Sequence, residues 1–169
     1  MADTSDRLFF ARDFRPRRVN AEWIPGARCW FLVAQSLEEA EEAMELFRTA
    51  EMDRECKING WNRYDERRCM SDKKIAEILN KPSMLVDPHE CAAWVSRVEG
   101  QQMIYDEEHN IWTYVLPDED GNAHLINPLS MGYGHDAMFV TEISVENGFR
   151  QEEIDIGWKR ALYSRLSAE

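Results

Sequence analysis

The sequence has few of the features that define several protein classes. Its longest uninterrupted apolar run is Cys29–Ala34, far short of the about 20 residues a membrane-spanning helix requires. Only four cysteines occur, at positions 29, 56, 69 and 91. None makes a C-x-x-C pair, and their density is not that of a disulfide scaffold, so reduced thiols in an intracellular setting are expected. No P-loop, G-x-S-x-G, G-x-G-x-x-G or H-E-x-x-H pattern is present, which removes the motif-based case for phosphate cradling, a nucleophile elbow, dinucleotide binding or a zincin centre. No internal repeat or low-complexity tract stands out. The amino-terminal stretch lacks the apolar core of a secretory signal, and Asp3, Asp6 and Asp13 are out of place in an acid-poor transit peptide. The cytosol is the expected location, with an organelle interior left open.

Basic residues are scarce too, and unevenly placed. Lys and Arg total 20 against 32 Asp and Glu, for a formal charge of −12. Residues 1–30 carry six Arg against four acids, whereas residues 101–169 carry four bases against thirteen acids. Bulk attraction to nucleic acid or anionic lipid wants the opposite sign. A basic arm at 1–28 followed by a single acidic domain at 29–169 is the expected organisation.

What is abundant is apolar and aromatic content: 44% hydrophobic residues, with six Trp, seven Phe and five Tyr. A chain of 169 residues with that content builds a core. Residues 7–28, punctuated by Pro16 and Pro25-Gly26, read as irregular. Arg28–Ala34 reads as a buried strand. Ser36-Leu37-Glu38-Glu39 is a capping box, and Ala40, Ala43, Met44, Phe47 and Ala50 follow at helical spacing, with Glu38, Glu41, Glu42 and Glu45 on other faces. Ser71 starts a short helix that Asn80 and Pro82 stop. Asp87-Pro88 opens another, with Cys91, Trp94, Val95 and Val98 as its stripe and Gly100 as its end. Strands follow at Gln101–Tyr105, Ile111–Leu116, Ala123–Ile126 and Ala137–Val145, then a helix over Gln151–Leu166. The blocky order predicts an α+β fold: an antiparallel sheet of about four to five strands, packed with three to four helices, beside an irregular amino-terminal arm.

Several chemistries can be weighed from this layout. The helix pair around Lys81-Pro82 has the outline of a helix-turn-helix, but its second helix sets Arg97 against Asp87, Glu90 and Glu99, so packed helices account for it better. Asp118–Asn122 supplies the first oxygens of a calcium loop, then Ala123 and Leu129 stand where Gly and Glu belong, so a hairpin turn is expected. His89, His109, His124 and His135 lack metal-ligand spacing, and no metal or cofactor is expected. Cys91 sits near a helix start, but on an apolar stripe, which favours a buried thiol.

Two features stand above this background. Gly132-Tyr133-Gly134-His135-Asp136 could bring backbone amides to a ligand, with His135 as acid or base and Asp136 orienting it. The arm interleaves Arg7, Arg12, Arg15, Arg17 and Arg18 with Phe9, Phe10, Phe14 and Trp23, the composition of an interface core. It would either anchor a partner or fold back on the chain's own acidic helices. The leading expectation is a non-catalytic protein-binding component, an accessory subunit or an inhibitor, docking through this arm and the acidic body; imitation of nucleic acid is a special case its charge permits. The alternatives are a small enzyme centred on His135 and an RNA-binding component that uses the arm.

Overall fold

Two short sequences with a two-residue period make the centre of the fold. Arg7–Asp13 (β1) and Arg28–Ala34 (β4) pair antiparallel, from Arg7 opposite Ala34 to Asp13 opposite Arg28. In the computed structural model, which describes residues 6–14, 17–19, 22–24, 28–59, 70–80, 83–84, 87–108, 111–126 and 138–167, these strands form the middle of a four-stranded antiparallel sheet. Ser83–Met84 (β5) flanks β4, and Met138–Glu142 (β9) flanks β1, giving the order β5-β4-β1-β9. A hairpin of Arg17–Val19 (β2) and Glu22–Ile24 (β3) stands apart from it. So does a three-stranded meander of Met103–Asp106 (β6), Ile111–Pro117 (β7) and Ala123–Ile126 (β8).

Alternation along β1 and β4 covers both faces of the main sheet. Leu8, Phe10, Cys29 and Phe31 pack with Cys91, Ala92 and Val95 of helix α3 (Pro88–Glu99). Trp112 and Tyr114 of β7, and Ile154 and Ala161 of helix α4 (Gln151–Ser167), complete that core. On the opposite face, Phe9 and Ala34 meet Ala40, while Ala11 and Trp30 meet Met44 and Phe47 of helix α1 (Leu37–Asn59). Helix α2 (Asp72–Asn80) packs Ile75 and Ile78 against Ala50 of α1. The α+β class with an antiparallel sheet is therefore as expected, with four helices among the described residues and their strands divided among three sheets.

Local chemistry places the helices. Ser36 Oγ accepts from the Glu39 amide at 3.1 Å, and Glu39 reaches back to the Gln35 amide, one residue before the reciprocal partner a capping box normally uses. Asp87 accepts from the amides of His89 and Glu90, and Gly100 closes α3 at φ +69°, a conformation that favours glycine. Gly157 serves a different purpose. A Cβ there would lie 2.7 Å from Leu8 Cδ2 and 3.0 Å from Phe31 Cε1, so its absence lets α4 sit directly on β1 and β4.

Two expectations need correction. Residues 7–13 are not irregular: they form a central strand. Arg7, Arg12 and Asp13 break the apolar pattern on which strand recognition depends, yet Arg12 and Asp13 are buried with their charges matched. Helix α1 also runs past Ala50 to Asn59. The acids that interrupt its apolar stripe are themselves buried: Glu51 binds Arg28 at 2.7 Å and Asp53 accepts the Met70 amide at 3.0 Å.

Candidate functional site

Residues 8–14 of the arm are spent on the chain's own interior. Phe9 and Phe10 are 0% exposed, Arg12 1% and Phe14 4%. Arg12 grips Glu99, at the end of α3, with Nε–Oε2 at 3.2 Å and Nη2–Oε1 at 2.7 Å. Its guanidinium lies 4.1 Å from the Phe14 ring centroid and 5.4 Å from that of Phe139. The Tyr114 hydroxyl donates to the same carboxylate at 3.2 Å. Burial, followed by the nearby Glu99 charge, pushes the Tyr114 phenol up to about 12, with Arg12 opposing the rise. This is a charge pinned between layers, inside the molecule, where removal of one partner is expensive.

These positions correct the expected role of four arm residues. Phe9, Phe10, Arg12 and Phe14 are core and cannot meet a partner while the sheet is intact. Fold-back, the other destination open to the arm, is what the structure shows for them, although their acidic partner is on α3 rather than on the exposed flank of α1 or the start of α4. Arg7, at the start of the same strand, is exposed. Its Nη2 reaches Glu142 Oε1 of β9 at 2.5 Å, and the hydrogen bond holds Glu142 below the usual carboxylate range and raises Arg7. Arg17, Arg18 and Trp23 lie in the β2–β3 hairpin, Arg18 opposite Trp23, with their side chains outside what is described. Arg15, His135 and Asp136 lie outside the described residues.

The other chemical candidates resolve more simply. Asp118 caps the β7–β8 turn, accepting from the amides of Asp120 and Asn122, with Gly121 at φ +82°. His89 pairs with Glu107 at 2.9 Å on the surface. Cys91 is 2% exposed, beside Cys29, whose thiol is raised well above its usual value by burial first and then by a hydrogen bond with Cys91. Among the described residues, no group of three or more His, Cys, Asp or Glu could hold a metal ion, and no helix is long and apolar enough to cross a membrane.

Among the described residues, an accessible concavity lies between α1 and β9. Glu38, Glu41, Glu42, Glu45, Leu46 and Thr49 of α1 and Met138 of β9 line an open groove of 630 Å³. Helical spacing places these glutamates off the apolar stripe of α1. The sequence shows both the carboxylates at 38, 42 and 45 and a strand over 137–145, but not that the two lie side by side.

That neighbour is the sheet's open edge. Every residue of β9 is half-buried, whereas β1 is buried from Leu8 to Asp13. The Ile143 amide donates to the Leu8 carbonyl at 2.9 Å, and Phe9 stands opposite Glu142. Antiparallel ladders alternate, so Phe139 and Thr141 turn their backbone groups toward β1 while Val140 and Glu142 turn theirs outward. The Glu142 carbonyl confirms that direction, because it accepts the Asn147 side-chain amide at 2.9 Å. Among the described residues, no strand pairs with β9 on the side away from β1. No protein-family model, curated protein or solved structure matches the chain.

Proposed function

We propose that the chain is a non-catalytic protein-binding component, an accessory subunit of a larger assembly or an inhibitor, that receives a basic partner on its α1–β9 face. The observation that carries this reading is the groove itself: a concave surface with four glutamates on one wall, bordered by Leu46 and Met138. Surface carboxylates of one sign steer a basic partner and set its register, while the apolar border supplies area to bury. The net charge of −12 acts in the same direction at longer range. The β2–β3 hairpin, with Arg17 and Arg18, is the part of the arm that retains a binding role in this proposal. Cys29, Cys56 and Cys91 are buried thiols, which supports an intracellular, cytoplasmic setting within the same proposal.

The test is comparative capture from a lysate of the native source. The wild-type chain, a Glu38→Lys/Glu42→Lys variant and an Arg15→Glu/Arg17→Glu/Arg18→Glu variant are used side by side. The expected result is a stoichiometric basic protein retained by the wild type and lost by the glutamate reversal. Equal capture by wild type and glutamate reversal contradicts the α1–β9 assignment. Equal capture by the arginine reversal removes the hairpin from the interface.

A further inference from the structure

We infer that the occupant of this face is an extended basic segment that adds as an antiparallel strand to β9, with alternate Lys or Arg side chains directed onto the carboxylates of α1. The inference rests on the protein-binding reading above and adds the mode and the chemistry of recognition. Its basis is the conjunction of an edge strand and a charged wall at the same place.

The edge supplies main-chain affinity. Val140 sits in the middle of β9 with its N–H and C=O directed away from β1, and no strand among the described residues covers them. Glu142, the next outward residue, already gives its carbonyl to Asn147. Asn147 thus closes the carboxyl-terminal end of the edge, and an incoming strand registers on Val140. The opposite edge of the sheet offers no equivalent, since β5 is only Ser83–Met84, and short edge strands resist pairing.

The wall supplies specificity through matching periods. Glu38, Glu42 and Glu45 follow one another along one flank of α1, and a helix rises about 6 Å over four residues. Side chains on one face of a strand recur about every 6.7 Å. A cation at every second residue therefore meets successive carboxylates without bending the strand. Helix α1 also runs along the sheet, since Ala40 packs on Phe9 and Ala34 while Met44 packs on Ala11 and Trp30. An added strand thus keeps the wall beside it over its length. Val140 packs on the α1 side of the sheet with Phe9 and Ala34. A residue bonded to it in an antiparallel ladder points its side chain to that same side. The cationic residues are consequently the ones whose amides must face β9.

The experiment uses the acetylated, amidated peptide Lys-Val-Lys-Val-Lys-Val-Lys and two N-methylated forms of it, titrated against the full chain by calorimetry. Methylation of the lysine amides is expected to weaken binding about tenfold or more, because the ladder bonds are lost; methylation of the valine amides is expected to leave affinity within about twofold. Equal affinity of the two methylated forms overturns strand addition. If the Glu38→Lys/Glu42→Lys variant still loses the peptide in that case, the acidic-surface reading survives on its own. If that variant binds as well as wild type, both readings fall. No binding of the unmethylated peptide overturns the inference outright. A second variant tests the protein side. Val140→Pro removes only an outward N–H, a position where edge strands accept proline, and is expected to lose the peptide; Val140→Ala, which trims the same packing and keeps the amide, is expected to retain it. Matched affinities for these two variants also overturn strand addition.

Discussion

Strands β1 and β9 are hydrogen-bonded neighbours that use charge in opposite ways. In β1, Arg12 and Asp13 are buried and answered: Arg12 by Glu99, and Asp13 by Arg28 at 3.8 Å, with Arg28 also bound to Glu51. Beside β9, the glutamates of α1 face an open groove. The first arrangement is committed to the fold, because a buried charge deprived of its partner is costly. The second sets Glu38, Glu41 and Glu42 on exposed surface, where the proposed basic partner would meet them. Arg12, one of the arginines of the expected docking arm, is thus structural, and in the proposed reading the acidic flank of α1 takes the docking role instead.

This contrast can be broken most forcefully at β1. Phe10→Ala is expected to cost about 3–5 kcal/mol, the range for deleting a fully buried aromatic, and Arg12→Ala about 3–5 kcal/mol by stranding Glu99; both are measured by urea denaturation. Because the stranded charge causes the second loss, Arg12→Met with Glu99→Leu is expected to recover most of it. A double variant as unstable as Arg12→Ala contradicts the pairing account. Next in size is Gly157→Val. The added carbons collide with Leu8 and Phe31, and a loss of about 1–3 kcal/mol is expected from overpacking. Leu8→Ala should soften that loss in a double-mutant cycle.

A smaller effect comes from a half-buried ion pair. Arg97 hydrogen-bonds Glu153 at 2.6 Å and, with help from the Arg150 amide, holds its carboxyl at about 2 against the ordinary 4.5. A depressed carboxylate stabilises the fold above its unfolded pKa, and that contribution fades as pH falls from about 4.5 through about 2. Glu153→Gln is therefore expected to flatten the acid limb of the stability profile in that window. An unchanged limb rejects Glu153 as a contributor. Smallest of all is the expected stability change for Glu38→Lys/Glu42→Lys, about 0.5 kcal/mol or less, since both side chains are exposed. That variant sharpens the contrast, because its effect should appear in binding and hardly at all in the melting temperature.

The helices were legible in the sequence because their signals are local. Ser36, Asp87 and Gly100 mark ends that depend on a few adjacent residues, and the Ala123–Ile126 strand and the start of α4 fall where turn residues place them. Strand β1 was hidden because the burial of Arg12 depends on Glu99, 87 residues away. The later half of α1 was hidden for the same reason, through Arg28 and Glu51. The groove needed one more fact that no local pattern contains, the sheet order that puts β9 at an edge beside α1.

In the proposed binding mode β9 offers a basic strand its outward edge at Val140, which no strand among the described residues covers. Residue-resolved amide hydrogen exchange tests it most directly, on the free chain and on the chain saturated with the Lys-Val peptide. Strand addition requires slow exchange at Phe139 and Thr141 in both states, and fast exchange at Val140 that becomes slow only when the peptide is bound. Val140 already protected in the free chain, or still fast at saturation, would contradict it.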